Sequence, residues 1–355
     1  MNNLKQELNE LLEEHLNEEF YTGAVCYVKV GDEEIYLQPF GYTDRSMKQE
    51  VTNETVFDLA SLTKISSSTL ILKLITSGKI KLDSTLGNCL PQVKNHPALS
   101  GITIFQLLTH SSGLKAWHPF YSHLPNEDLF EILEGIELLH EESTEVLYSD
   151  LNYILLGKVI DSQYSKTIDQ VVKEELAEPL ETETLSYGPV FLDNIAATEF
   201  GNRTEMKMCQ KRGIEFNGWR SISEEIIGEV NDGNTYYFLN GRSGHAGLFG
   251  TVFDVSKLGE LYLKDGTFND KQLISSTLTH ESMVQQIGDR GYGWHMGRPF
   301  PSGAGHTGFT GTSLWVDPDL QLNVVLLTNR LNVEEPKNIQ EFRLKVFNTI
   351  KNNLN

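Results

Sequence analysis

The spacing of apolar positions changes twice along the chain. In "MNNLKQELNELLEEHLNEEF" the leucines Leu4, Leu8, Leu11, Leu12 and Leu16 recur every three or four residues, which predicts an amphipathic helix over residues 1–19. "GAVCYVKV" then alternates: Ala24, Cys26, Val28 and Val30 share one face, and Val25, Tyr27 and Lys29 the other. "GDEE" turns the chain. Ile35 and Leu37 alternate with Tyr36 and Gln38 on the return strand, where Pro39 limits central pairing. From Ser61 to about Leu263 the spacing is mostly helical, with predicted helices over 61–77, 103–110, 127–138, 149–162, 167–177 and 252–263. Thr251 and Asp254 have capping-box spacing at the start of the last of these. "GTSLWVDPDLQLNVVLLTNR" reads as two strands about an Asp-Pro-Asp turn. Pro336 then opens a final helix with Ile339, Phe342, Val346 and Ile350 inward.

Strands thus lie at both ends and helices between them. The simplest closure pairs the N-terminal hairpin with the C-terminal one. The expected fold is α/β (α+β): an antiparallel sheet formed by both chain ends, flanked by helices, with a mostly helical inserted region. The expected division is residues 20–60 plus 288–355 for the sheet region and 61–287 for the helical region, with 1–19 as an N-terminal helix. Two aromatic loops, "WHPFYSH" and "NDGNTYYFLNGRSGHAG", read as walls or a lid.

Composition narrows the partners. Of 355 residues 39% are apolar, enough for a substantial core, and the net charge of −20 repels phosphate backbones and anionic lipid. Nucleic acid and membrane are therefore not expected as partners. The acidic first segment does not read as a signal peptide, and no apolar run approaches the ~20 residues that span a bilayer. Cys26, Cys89 and Cys209 are odd in number and far apart, which fits buried free thiols and a cytoplasmic location.

Candidate chemistry begins at "FDLASLTKISSSTL". Ser61 and Lys64 stand one helical turn apart on one face. Free N–H groups at a helix start stabilise an oxyanion, and burial together with the helix field is expected to push Lys64 toward its neutral, proton-accepting form. The spacing alone is weak, since Ser112 and Lys115 repeat it. Two further pieces follow in order: Tyr148-Ser-Asp150 at the head of the 149–162 helix, and His306-Thr307-Gly308 leading into a strand. Gly303, Gly305 and Gly308 also match a dinucleotide-binding glycine pattern, but a strand rather than a helix is expected after them.

With Ser-x-x-Lys, Tyr-x-Asp and His-Thr-Gly in that order, the chain resembles the serine β-lactamase and penicillin-binding-protein superfamily, on the class C β-lactamase side that also holds esterases and D-peptidases. The phrases at 105–114, 244–260 and 311–320 fit the same family. The resemblance implies acylation of Ser61, proton transfer shared by Lys64 and Tyr148, and an oxyanion hole from the backbone N–H groups of Ser61 and Phe309. It implies that Asp150, His306, Thr307 and Gly308 line the substrate site, with no cofactor and no metal.

Two departures matter. Asp150 stands where the family often has Asn, and His306 where β-lactamases have Lys. Both make the pocket less positive, so a neutral ester is expected in preference to its anionic analogue, and weak β-lactam hydrolysis at most. His110, His245 and the His118/His123 pair show no metal-ligand spacing. Arg242, Arg290 and Arg298 are candidate substrate contacts, with an exposed surface position as the preferred reading. The expected activity is serine hydrolysis of a small ester, amide or peptide. The alternatives are a D-alanyl carboxypeptidase or β-lactamase, and a non-catalytic binding or sensor protein on the same fold.

Overall fold

A computed structural model describes residues 2–140 and 145–354. The elements that frame the site are helix α1 (Asn2–Asn17), strands β1 (Gly23–Val30) and β2 (Glu33–Gly41), helices α2 (Thr63–Thr76), α3 (Asp150–Tyr164) and α4 (Val252–Leu263), strands β3 (Ala304–Thr307), β4 (Ser313–Asp317) and β5 (Leu322–Thr328), and helix α5 (Gln340–Leu354). The sheet has five strands in the order β2-β1-β5-β4-β3, and every neighbouring pair is antiparallel. β1 and β5 join the two ends of the chain, with Ala24 opposite Thr328 and Val30 opposite Leu322.

Both faces of this sheet are covered, which is why both alternating sets on β1 are buried. Ala24, Cys26 and Val28, with Val324, Leu326 and Trp315, pack under Leu4, Leu8 and Leu12 of α1 and Phe342, Val346 and Ile350 of α5. Val25, Tyr27, Val325 and Leu327 face the other way, toward Val255, Leu258 and Tyr262 of α4 and the helical core beyond. Lys29 escapes burial of a bare charge by reaching Glu260 on α4 at 2.7 Å. Pro39 sits on the edge strand, where a missing donor costs least. Cys26, Cys89 and Cys209 are buried free thiols. No helix among the described residues is long and apolar enough to cross a membrane.

Leu8 is fully buried between α1 and the sheet. Leu8→Ala is therefore expected to cost about 3 kcal/mol of stability, through lost burial and an unfilled cavity. Urea denaturation reads this directly; a loss below about 1 kcal/mol would mean that α1 is not part of the folded core.

Several expectations shift in detail. The last helix starts at Gln340, four residues after Pro336: the Ile339 carbonyl accepts its first helical bond, from the Arg343 N–H at 2.9 Å, and the Asn338 side chain turns the chain just ahead of it by accepting from the Gln340 N–H at 3.0 Å. The 127–138 helix shortens to Leu129–Glu134, capped by the Asp128 carboxylate and ended at Gly135. The first turn of the Ser61 helix is 3₁₀, Ala60–Leu62, before α2 continues it. His306 lies within strand β3 rather than ahead of one. A small sheet, Phe57–Asp58 and Ser186–Tyr187 on either side of Leu248–Gly250, interrupts the stretch expected to be helical. Its strands are too short for an alternating pattern to mark them.

Candidate active site

Ser61 is carried by the sharp turn between Phe57–Asp58 and α2. Ala60, just before it, has φ +46°, a left-handed conformation that a non-glycine residue adopts only under constraint. The constraint is visible: the Ala60 N–H donates to Asp58 Oδ1 at 2.8 Å, and Asp58 is buried. Burial pushes the Asp58 carboxyl up to about 6, opposed by the bonds it accepts from the Asn231 and Ala60 N–H groups.

The turn after β3 is fastened to the same strand. Thr310 Oγ1 donates to the Asp58 carbonyl at 2.8 Å, and Thr312 Oγ1 to the Leu59 carbonyl at 2.9 Å. Gly308 makes the approach possible, since a Cβ there would stand 2.0 Å from Thr312 Oγ1 and 2.8 Å from the Leu59 carbonyl oxygen. Ser61 and Phe309 consequently share the walls of one cleft, together with Tyr148. The Phe309 carbonyl is taken by Arg330 Nε at 2.7 Å.

Lys64 lies one turn below Ser61 and is fully buried. Its Nζ stands 2.9 Å from Ser61 Oγ, 2.8 Å from Asp150 Oδ1 and 3.3 Å from the His245 carbonyl oxygen. These three acceptors match the three N–H bonds of an ammonium. Burial lowers the Lys64 pKa, but the Asp150 carboxylate and the Tyr148 phenol more than offset it and hold the amine above the ordinary lysine value. This reverses the expectation of a neutral Lys64: the acidic partner at Asp150 outweighs the helix field.

Tyr148 precedes α3, held by the Leu147 N–H bond to the His110 carbonyl at 2.9 Å and by the Ser149 N–H bond to His110 Nδ1 at 3.1 Å. Its ring leans on the His110 ring, 4.6 Å between centroids. Lys64 Nζ lies 4.9 Å and Arg290 Cζ 5.4 Å from the Tyr148 ring centre, so two cations border one phenol. The His306 ring stands 5.9 Å from that of Tyr148, between centroids, and is buried. Burial, followed by the charges of Lys64 and Arg290, holds His306 well below the usual histidine range.

The cleft has two lobes. One, of about 300 Å³, is bounded by Trp117, Met208, Asp150, Glu205, Asp232 and Phe309. Both aromatic loops contribute to it, through Trp117 and through Asp232 and His245. The Asp232 carboxylate meets His245 Nε2 at 3.0 Å, and this bond fixes the loop whose carbonyl receives Lys64. The other lobe, of about 550 Å³, includes Thr307, Arg290 and Arg298.

Ser61, Lys64, Tyr148, Asp150, His306, Thr307, Gly308 and Phe309 are thus brought together around one cleft. Ser112 is not part of it: its Oγ is buried and donates to Asn152 Oδ1 at 2.6 Å. Arg290 and Arg298, read from sequence as surface residues, line the cleft instead, while Arg242 pairs with Asp169 at 3.2 Å. No pattern around Arg290 marks it, because its neighbours in the cleft come from distant parts of the chain. His118 and His123 form a chain of hydrogen bonds with Lys115 and Glu127.

Known proteins show the same architecture. An N-acetylmuramyl-L-alanine amidase of Bacillus subtilis (strain 168) is 28% identical over 90% of this chain and 81% of its own length. A protein of Escherichia coli (strain K12), provisionally named a D-alanyl-D-alanine carboxypeptidase, is 30% identical over 80% of this chain and 71% of its own. Among solved structures, the hydrolase EstCE1, described as having promiscuous acyltransferase activity, superposes with a TM-score of 0.77 at 22% identity, covering 98% of both chains. The Beta-lactamase family model matches residues 8–346. The chain belongs to the beta-lactamase family, whose fold is shared by a penicillin-binding protein homologue from Pyrococcus abyssi and by the hydrolase EstCE1.

Proposed function

We propose that the protein is a serine hydrolase that works through an acyl-enzyme on Ser61 and acts on a small ester or amide, in the manner of an esterase or a D-amino-acid peptidase. The observation that carries this reading is the contact between Ser61 Oγ and Lys64 Nζ at 2.9 Å, beside the Tyr148 phenol and open to a cleft. A scaffold that only binds has no use for a buried cation aimed at a serine.

The roles follow from the charges. Lys64, held as an ammonium, donates to Ser61 Oγ and leaves the serine proton free to move. Tyr148, with Lys64 and Arg290 beside its ring, accepts that proton as the serine oxygen attacks. The serine oxygen attacks the substrate carbonyl, and the oxyanion forms against the N–H groups of Ser61 and Phe309. Tyr148 returns the proton to the departing alcohol or amine as the bond breaks. Water then repeats the cycle on the acyl-enzyme and releases the acid. Thr307 and Gly308 bound the leaving-group side.

The relatives named for muramyl amide and D-alanyl peptide cleavage support an amide between an acyl group and an amino acid as the natural bond. β-Lactam turnover should be slow, because Asp150, where the family often has Asn, has no N–H to offer a substrate amide carbonyl. The test is intact-mass measurement of the wild type after incubation with a fluorophosphonate, a penicillin and activated esters. One equivalent of adduct on the Ser61 peptide is expected, with ester turnover. Mapping of the adduct to another residue would end the proposal.

A further inference from the structure

Ser61, Tyr148 and Phe309 border both lobes of the cleft, whereas Thr307 and Gly308 line only the larger one and Asp150, Asn231 and Asp232 only the smaller. A leaving group beside Thr307 therefore puts the acyl group of the substrate in the smaller lobe, of about 300 Å³. Its wall is apolar at Trp117, Met208, Ala246 and Phe309, and no lysine or arginine among the described residues lines it.

What this lobe offers is oxygen acceptors that lack donors. Asn231 is only 4% exposed, and its amide nitrogen is spent on Glu199 Oε2 at 3.2 Å, which fixes the orientation of the amide. Its Oδ1 accepts from no donor among the described residues, and the side chain borders the lobe. Asp232 Oδ1 meets the Thr235 N–H at 2.7 Å, the Thr235 hydroxyl at 2.8 Å and His245 Nε2 at 3.0 Å, while its second oxygen has no donor among the described residues. Burial raises the Asp232 pKa, but His245 and the Thr235 bonds more than offset it and hold the carboxyl below its usual range, so it is ionised. Asp150 gives Oδ1 to Lys64 at 2.8 Å and likewise keeps an oxygen without a donor. Glu205 reports the field of the lobe. Its oxygens take the Tyr121 hydroxyl at 2.8 Å and the Gly233 N–H at 2.9 Å, yet burial, and after it the Asp232 charge, push its carboxyl up to about 8. Lys64 does not cancel that field, because Asp150 already balances it, and the only basic partner of Asp232 among the described residues is His245.

We propose that the smaller lobe binds the α-ammonium of an aminoacyl substrate, with Asp232 as the specificity-determining residue and Asn231 Oδ1 and Asp150 as the further acceptors. The proposal rests on the reading of Ser61 as the nucleophile and names the acyl group that this serine receives. An ammonium brings three N–H donors and no acceptor, which matches three oxygens without donors. Lys64 Nζ touches both Ser61 Oγ and Asp150 Oδ1, so the acceptors begin within reach of an amine on the first carbon of an acyl group held on Ser61. The aromatic walls at Trp117 and Phe309 favour a cation over an anion. Asp150 in place of Asn suits the same ligand, since a carboxylate accepts from an ammonium where an amide N–H would serve a substrate carbonyl. An N-acylated substrate lacks this charge and gains nothing from the lobe.

The test compares the glycyl and propionyl thioesters of N-acetylcysteamine, which share a neutral leaving group and differ only in an ammonium for a methyl. At about pH 6.5 an α-amine is protonated. The ratio of kcat/KM is divided by the ratio of the two hydroxide rates, which removes the intrinsic reactivity of the esters. Wild type should favour the glycyl substrate after that correction. Asp232→Asn, which keeps an acceptor for Thr235 and His245, should lower the corrected ratio by about 30-fold, as for loss of a charge-assisted contact. A loss common to both substrates cancels in the ratio. No glycyl preference in the wild type, or an unchanged ratio in Asp232→Asn, overturns the inference. If the Asn variant does not fold, the wild type decides by protection: glycinamide should slow fluorophosphonate labelling of Ser61 and propionamide should not, and equal effects overturn it. Ser61→Ala separates the two levels. Thioester turnover that survives Ser61→Ala sinks the nucleophile reading, whereas Ser61-dependent turnover without a glycyl preference sinks only the ammonium site.

Discussion

Ser61→Ala is expected to abolish covalent labelling and to lower ester turnover by at least ~10⁴-fold, because removal of a nucleophile leaves only binding and oxyanion stabilisation. The protein should stay folded. Ser61 is partly exposed at the cleft, and the turn that holds it is fastened by Asp58, Thr310 and Thr312 rather than by its hydroxyl. The contrast is Ser112→Ala. That serine has the same Ser-x-x-Lys spacing, but its hydroxyl is spent on Asn152. Its loss should cost about 1 kcal/mol of stability and leave the adduct in place. Labelling that disappears with Ser112 and survives without Ser61 would reverse the assignment.

Tyr148→Phe is expected to cost about 10³-fold in turnover, and Lys64→Ala about 10²-fold, both within the range for a positioned proton-transfer group. The order matters more than the sizes. In the proposed mechanism Lys64, with three acceptors about its ammonium, supports the proton acceptor, and Tyr148 is that acceptor. Its ring packs against His110 without needing the hydroxyl, so Tyr148→Phe should fold normally. Asp150→Asn checks the premise. It keeps an acceptor for Lys64 but removes the charge, at an expected cost of about 2 kcal/mol. The sign follows from the raised Lys64 pKa: the stabilisation is complete below the ordinary lysine value and is lost only as pH rises through the higher folded value. The gap between wild type and Asp150→Asn should therefore be constant from about pH 6 to pH 9, as read by urea denaturation. A larger loss of rate from Lys64→Ala than from Tyr148→Phe, or no gap in stability, would return the base role to Lys64.

What the sequence reveals here is whatever repeats at short range. Ala24, Cys26 and Val28 mark a strand by alternation, and Leu4, Leu8 and Leu12 mark a buried helical stripe; both lie where their spacing places them. The pairing of chain ends is legible because two lone hairpins have no other partner. Ser61 and Lys64 are neighbours because three residues of helix make them so. The charge on Lys64 is a different matter. It depends on Asp150, carried by another helix, and the distance between them is set by the whole helical core. Arg290 is hidden for the same reason: only the fold turns an ordinary-looking arginine into the wall of a cleft. Leu248–Gly250 is missed because a three-residue strand has no period to read, and the last helix is misplaced because a side-chain turn at Asn338, rather than Pro336, leads into it.

The pairing of β1 with β5 also governs the order of events during synthesis. Gly23–Val30 leaves the ribosome long before its central partner Leu322–Thr328 is made. At about 5–20 residues per second, β1 waits roughly 15–60 s with one row of backbone donors and acceptors unpaired. Until then α1 and the hairpin have half a sheet to cover, and the long separation of partners makes closure slow even afterwards. The growing chain therefore carries an open strand edge until Leu322–Thr328 emerges, the state in which one nascent copy can pair with another.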